Sequence, residues 1–405
     1  MKPGWRYSTL GEACEIKPPK SQARRFLSDD EEVSFMPMED LGIDTKYPRV
    51  IRKRALGSVA GSYTYFADGD VLLAKITPCF ENGKLGIARE LKNGVGFGSS
   101  EFIVLRHGAE LMAEWLYYYL VRQAFRDEGA KRMSGAVGHK RVAKEFVDEY
   151  PIPLPSLAEQ RRLVAILDEA FAGIAAAEAN AEKNLQNAYE LFDSYQRTLL
   201  AQQGSDWVES PLSALGEFRN GVNFTKRSKG HRIRVVGVKD FKNDFDVPMS
   251  DLDVVQLDGS LSELDALREN DILFVRSNGN PELIGRCLLA GPVVGEICHS
   301  GFTIRLRLSS SNVLPRFLCH YLKSSAVRKS LTEAGTGANI RSLNQQMLAA
   351  VEVPIPSLAE QATIVMRLES MAVKVERLNS VYQAKLAAFD TFKQSMLASA
   401  FAGEL

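Results

Sequence analysis

The sequence is poor in the residues that build metal, redox and disulfide sites: its 405 residues include five cysteines and five histidines. Cys14, Cys79, Cys287, Cys298 and Cys319 form no CxxC pair and are odd in number. That argues against a disulfide framework and a structural zinc, and fits a reducing compartment. His107, His139, His231, His299 and His320 show no HxH or HxxxH spacing. Each reads as a surface or polar-core residue, and Cys298-His299, adjacent on a strand, would point to opposite faces. No apolar run nears the roughly 18 residues that span a bilayer. Met1–Tyr7 carries no signal-peptide core, so a cytoplasmic protein is expected. Net charge is missing too, because 50 Lys and Arg balance 50 Asp and Glu. Counterion release favours a positive surface, so any nucleic-acid face must be a local patch balanced by acid elsewhere.

Catalytic signatures are equally scarce. No Walker A sequence occurs, so no phosphate-cradling loop is expected. The glycines of Gly94-Val95-Gly96-Phe97-Gly98 lack the strand-to-helix context of a dinucleotide site and read as a turn. The Asn/Asp-Pro-Pro-aromatic grip of an amino-methyltransferase is absent, and Asn280-Pro281-Glu282 does not qualify. Nothing assembles a nucleophile, a base and an oxyanion hole. The chain reads as one that performs no chemistry of its own.

What is present is an internal repeat. Ile152-Pro153-Leu154-Pro155-Ser156-Leu157-Ala158-Glu159-Gln160 returns as Val353-Pro354-Ile355-Pro356-Ser357-Leu358-Ala359-Glu360-Gln361, an offset of 201 (353 − 152). Within a residue of that offset, Trp5, Ser8 and Leu10 match Trp207, Ser210 and Leu212, and Gly69-Asp70-Val71-Leu72-Leu73 matches Asn270-Asp271-Ile272-Leu273-Phe274. Phe192-Asp193-Ser194-Tyr195 matches Phe389-Asp390-Thr391-Phe392 at 197, so the first copy is about one helical turn longer. Two tandem units follow, each a mixed domain with a helical tail: domains at 1–150 and 203–352, helical spacers at 151–202 and 353–405.

Each tail opens on a Pro-x-Pro-Ser-Leu start in which Ser156 or Ser357 is a natural N-cap and Glu159 or Glu360 completes a capping box. Apolar residues then recur in steps of three and four. They are Val164, Leu167, Phe171, Ile174, Ala181, Leu185, Ala188, Phe192, Tyr195 and Leu199, broken at Glu178. In the second tail they are Ile364, Leu368, Met371, Val375, Leu378, Tyr382, Phe389, Phe392 and Met396, broken at Lys385. This is a coiled-coil stripe. It could serve a homodimer, an intramolecular pair or another protein, and the duplication favours an intramolecular antiparallel pair. The domains show short strand runs at 70–74, 102–105, 235–238, 272–275 and 302–306, and one helical stretch each near 110–126 and 314–332. The expected fold is α+β: two similar domains separated by two long antiparallel coiled-coil helices, with pseudo-two-fold symmetry.

Basic residues gather with amides and hydroxyls on glycine-rich loops in both copies. A single basic run is as well explained by a solvated face, but this company suits DNA, since Arg and Lys pair with guanine edges, Asn with adenine and hydroxyls with phosphate. The candidate DNA contacts are regional. In the first copy they are Lys75, Thr77, Asn82, Lys84, Lys131, Arg132, His139, Lys140 and Arg141. In the second they are Lys226, Arg227, Arg276, Ser277, Asn278, Asn280, Asn339 and Arg341. The acidic stretch from Asp240 to Asp271 should face away from DNA.

The duplicated Pro-x-Pro-Ser-Leu-Ala-Glu-Gln with its long helix resembles the conserved regions of type I restriction–modification specificity subunits, over essentially the whole chain. Gly69-Asp70-Val71-Leu72, Ile76 to Lys84 and Gly96 to Phe102 look like one target-recognition-domain type, and Asp271 to Asn280 like another. The resemblance implies a DNA-binding subunit without an active site. It would recruit two modification subunits that methylate an extruded adenine with S-adenosylmethionine, and restriction subunits that use ATP and Mg2+ to translocate and cut. No cofactor would sit on this chain and no membrane would be involved. Two domains reading a bipartite, asymmetric site, with helices as ruler and docking surface, would follow. Open alternatives are a partner that fuses methylation and cleavage, a DNA-modifying enzyme in its own right, and a coiled-coil scaffold that never touches DNA.

Overall fold

The computed structural model describes residues 4–136, 138–201, 204, 206–225, 227–242, 244–334 and 341–405. It divides into two compact units, Met1–Ala181 with Gln383–Leu405, and Glu182–Tyr382. Each unit holds one mixed domain and a length of each long helix.

Unit 1 runs β1 (Arg6–Thr9), β2 (Cys14–Ile16), β3 (Glu32–Met36), β4 (Arg52–Ala55), β5 (Thr64–Ala67), β6 (Val71–Ala74), β7 (Leu85–Ile87), β8 (Val95–Gly98) and β9 (Phe102–His107). Helices α1 (Ala113–Val121) and α2 (Gln123–Lys131) follow, then β10 (Pro151–Leu154) and the long helix α3 (Leu157–Ala201). One sheet has the order β2-β9-β6-β7, a second β4-β3-β8-β5, and β1 pairs with β10. The β3–β8 pair is parallel.

Strand β6 is apolar at every position because it feeds two cores. Val71 and Leu73 pack toward α1, while Leu72 and Ala74 pack with Met36 and Phe66 of the second sheet. The glycine run expected to be a turn is a strand beyond Gly94: β8 lies between β3 and β5. A Cβ on Gly96 would come 2.1 Å from the Phe66 ring, so the glycine makes room for an aromatic side chain.

Unit 2 repeats this plan with β11 (Val208–Pro211), β12 (Gly216–Asn220), β13 (Arg232–Val236), β14 (Asp253–Gln256), β15 (Ile272–Val275), β16 (Ser277–Asn278), β17 (Cys287–Leu289), β18 (Ile297–His299) and β19 (Thr303–Leu308). Helices α4 (Pro315–Lys323) and α5 (Ser325–Ala334), strands β20 (Arg341–Ser342) and β21 (Glu352–Ile355), and the long helix α6 (Leu358–Ala402) complete it. Its main sheet, β12-β19-β15-β17, has the order of its counterpart, and β13–β18 is again parallel. The single helical stretch expected in each domain is two helices, because Arg122 and Ser324 adopt extended backbone between them.

Two buried devices are copied between the units. Asp70 takes a bidentate Arg106, both bonds 2.7 Å, and Asp271 takes a bidentate Arg307 at 2.8 and 2.7 Å. Gln160 accepts from Met112 N–H (2.9 Å) and donates to the Glu110 and Pro155 carbonyls (2.8 and 3.0 Å). Gln361 accepts from Leu314 N–H (2.7 Å) and donates to the Asn312 and Pro356 carbonyls, both 2.8 Å. Both glutamines are 0% exposed. The repeated motif therefore locks each long helix to its own domain, and Ser156 and Ser357 cap the Glu159 and Glu360 N–H groups at 3.3 Å.

Within unit 1 the long helices are antiparallel, since Arg162 donates to the Leu405 carbonyl (2.7 Å) while Glu178 meets Lys393. The ends of the α3 stripe are domain core rather than helix seam: Val164 and Leu167 pack with α1, and Leu199 joins the core of unit 2. On α6 the expected stripe fails at Leu378 and Phe392, which are 43% and 50% exposed. A straight helix of 3.6 residues per turn drifts away from a 3.5-residue repeat. Near the C-terminus the buried face accordingly passes to Leu397, Ala400 and Phe401.

Candidate nucleic-acid interface

In unit 1 two of the candidate loops are bridged by their backbones. Thr77 N–H donates to the Lys140 carbonyl (3.0 Å), Val142 N–H to Lys75 (2.9 Å), and Lys75 N–H to Glu101 (2.9 Å). Lys75, Thr77, His139, Lys140 and Arg141 are thereby brought together, with the Arg141 guanidinium on the His139 carbonyl at 3.1 Å. Arg141 also grips Glu101 with two bonds of 2.9 and 2.8 Å, which holds that carboxyl below the usual range, helped by Lys75. The Thr77 hydroxyl donates to Glu81 at 2.9 Å.

The remaining candidates are placed otherwise. The Lys84 ammonium is taken by the Met38 carbonyl at 2.8 Å, and Asn82 is exposed on the turn that its N–H closes to Pro78. Lys131 and Arg132 are exposed at the end of α2, where Arg132 pairs with Glu128 at 2.7 Å and lies over the Phe146 ring.

Beside the bridged loops opens a hollow of about 350 Å³. Lys17, Lys20, Lys75, Arg141 and Lys144 line it, with Tyr63 and Tyr65. Lys20 is held by the Gly61 carbonyl (2.8 Å) and Lys144 by Asp148 (3.1 Å), yet cations outnumber acids around it. Such a surface attracts phosphate. Sequence reasoning missed Lys17, Lys20 and Tyr63. The readable signal was Lys17-Pro18-Pro19-Lys20, a proline pair framed by lysines at a strand end.

Unit 2 builds the same frame with other side chains. Arg276 N–H donates to the Phe302 carbonyl and Leu343 N–H to Arg276, both at 2.8 Å. Ser277 pairs with Ser342 and Asn278 with Arg341. Phe302 thus stands where Glu101 stands, and it is 64% exposed. Arg276 is half-buried, with its guanidinium 3.4 Å from the Gly301 carbonyl. The Asn278 side-chain oxygen accepts from Asn280 N–H (2.8 Å), and that of Asn280 from Glu282 N–H (3.0 Å), so both oxygens close the local turn. Arg227 is exposed, while Lys226, Asn339 and the side chain of Arg341 lie outside the described residues.

A hollow of about 390 Å³ adjoins this frame, lined by Phe224, Val255, Ser277, Asn278 and Phe302. Asp253 of the acidic stretch lines it too. Asp253 and Val255 are two residues apart on β14, so the strand's alternation puts them on one face. Other acids of the stretch are used internally, Asp246 on Arg316 and Asp265 on Arg219.

The buried histidines are structural. Burial, then Arg305, pushes His299 down to about 3, and its Nδ1 lies 3.0 Å from the Thr303 hydroxyl. Burial, with Arg316 and Lys323, pushes His320 down to about 4. All five cysteines are free, and no group of three or more His, Cys, Asp and Glu among the described residues could hold a metal ion.

The model of the type I restriction modification DNA specificity domain matches residues 2–186 and again 204–380. The chain belongs to that family. This specificity-family chain is 32% identical over 228 residues to the type I restriction enzyme EcoEI specificity subunit of Escherichia coli, covering 56% of this chain and 37% of that protein. It is 37% identical over 163 residues to the EcoAI specificity subunit of the same species, covering 40% and 27%. It therefore spans well under half the length of these relatives. A solved structure described as the structural basis of complex assembly and conformational transition of the type I R-M system superposes with a TM-score of 0.81 at 18% identity, covering 100% and 99% of the two chains. The HsdS subunit from Thermoanaerobacter tengcongensis superposes with a TM-score of 0.59 at 20% identity, covering 100% and 98%. The specificity fold is shared in full. Among the described residues no helix is long and apolar enough to cross a membrane.

Proposed function

We propose that this chain is the sequence-reading subunit of a type I restriction–modification complex, each domain reading one half of a bipartite, asymmetric DNA site. One observation carries the reading: a single backbone frame occurs twice, presenting Lys75, Glu101 and Arg141 in one domain and Arg276, Phe302 and Ser342 in the other. One frame with two sets of side chains suits two different half-sites. The candidate contacts are the bridged loops at 75–77 and 139–141, and Arg276 to Asn278 with their pairing segment. Helix α3, of 45 residues and therefore about 68 Å long, would set the unread gap, since one DNA turn is about 34 Å. Two modification subunits would dock on the helices and carry the methyl chemistry with S-adenosylmethionine. Restriction subunits would supply the ATP- and Mg2+-dependent cleavage, and this chain would contribute binding alone, in the cytoplasm.

Methylome sequencing of a host expressing the chain with its modification partner tests this. A split motif is expected, and inserting one helical turn after Ala177 should lengthen the gap and leave both halves unchanged. A continuous motif, an unchanged gap, or methyl transfer by the chain alone would overturn the reading.

A further inference from the structure

We infer that the hollow of unit 2 receives a nucleobase turned out of the DNA stack, with Phe302 as its stacking platform. The inference rests on the DNA-reading role proposed above and adds to it a site for one base.

Phe302 is 64% exposed, on a backbone that is anchored. Its carbonyl accepts from Arg276 N–H at 2.8 Å and Ser277 N–H at 3.4 Å, and its own N–H donates to the Ser300 hydroxyl at 3.3 Å. A rigid backbone therefore holds a large apolar ring out toward solvent, directly beside the polar loop of Ser277 and Asn278. At the same place in unit 1 stands Glu101, gripped by Arg141 with two hydrogen bonds.

The chemistry of the unit 2 hollow identifies its occupant. Phe224, Val255 and Phe302 offer apolar surface, and Ser277, Asn278 and Asp253 offer hydrogen-bonding groups. The Asp253 carboxylate, held on one side by Lys239 at 2.6 Å, repels backbone phosphate. It can accept from the exocyclic amino group of adenine or cytosine. Aromatic stacking combined with edge hydrogen bonds is how an extruded base is gripped. Contact with a thymine methyl would need only the exposed tip of the ring and would leave the concavity behind it unused.

The test uses the full chain with its modification partner and duplexes bearing the cognate site. A fluorescent base, 2-aminopurine or pyrrolocytosine, is placed in turn beside each position of the half-site read by unit 2, so that the base under test keeps its own amino group, excluding the methylated adenine. One position should brighten on binding. Phe302→Ala should abolish that signal and weaken affinity about ten- to a hundred-fold, the range expected for one stacked base, and Phe302→Tyr should restore both. Because Phe302 is exposed, its replacement should leave the fold intact, and thermal unfolding of each variant checks this. Tight site-specific binding with no position brightening, or Phe302→Ala behaving as wild type, would overturn the inference while leaving the DNA-reading role intact. Loss of affinity on replacing thymine by uracil, with no base unstacked, would overturn it in favour of a methyl contact. Absence of any site-dependent binding by the wild-type complex would overturn both.

Discussion

Lys393 Nζ lies 2.9 Å from the Glu178 carboxylate, with the two side chains 17% and 26% exposed. Glu178 is the one interruption in the apolar stripe of α3, and a cation from α6 answers it within unit 1. Removing either partner alone strands a largely buried charge. Glu178→Ala or Lys393→Ala should each cost about 1–3 kcal/mol, between the values for exposed and fully buried pairs. The double replacement Glu178→Leu with Lys393→Leu should be at least as stable as wild type, because apolar packing replaces the pair without a desolvation penalty. Urea unfolding of the full chain checks this. A double variant as unstable as the sum of the singles would contradict it.

The repeat, the helix starts and the two long helices were legible in the sequence because they rest on local chemistry: Pro-x-Pro, a serine cap and a three–four stripe. Even the matched pair Gly69-Asp70 and Asn270-Asp271 located real equivalents, since Asp70 and Asp271 bind Arg106 and Arg307 identically. What could not be read were features set by distant partners. Gly96 looks like a turn residue until the Phe66 ring is seen to occupy the space of its side chain. Asn278 and Asn280 were legible as polar loop residues, but not the local turn that their side-chain oxygens close. The equivalence of Glu101 and Phe302 was hidden because the backbone is repeated and the side chains are not. Lys17, with φ of 61°, owes its place at the hollow to the chain reversal before Pro18, not to a charge run.

Stability should fall with acidity through the buried histidines of unit 2. Burial depresses His299 to about 3 and His320 to about 4. Unfolded, each would titrate near 6.5. The unfolded chain then binds protons that the folded chain refuses. The contribution is complete above about pH 6.5 and is lost as pH falls to about 4 for His320 and about 3 for His299, at up to about 1.4 kcal/mol per pH unit for each histidine. Denaturation midpoints at pH 7.5, 6 and 5 measure the slope, and His320→Phe should flatten it. An unchanged slope in that variant would place the linkage elsewhere.

Electrostatics should distinguish the two domains. Lys17→Ala and Lys144→Ala, at the cationic hollow of unit 1, should weaken binding uniformly across DNA sequences. Each should lower the slope of log affinity against log salt by about one, the share of a single neutralised phosphate. Phe302→Ala in unit 2 should leave that slope unchanged. Titrations at several salt concentrations decide it, and an altered sequence preference in Lys17→Ala would mean that Lys17 touches a base edge.

Phe401 supplies a built-in optical gauge. Its ring lies 4.2 Å from Trp115, which in turn meets Trp5 edge-on at 5.9 Å, so two of the chain's three tryptophans share one aromatic pile capped by the last helical turn. Any event that lifts that turn would admit water to Trp115 and shift its emission to the red. The seating of the C-terminus can thus be followed in real time without attaching a label.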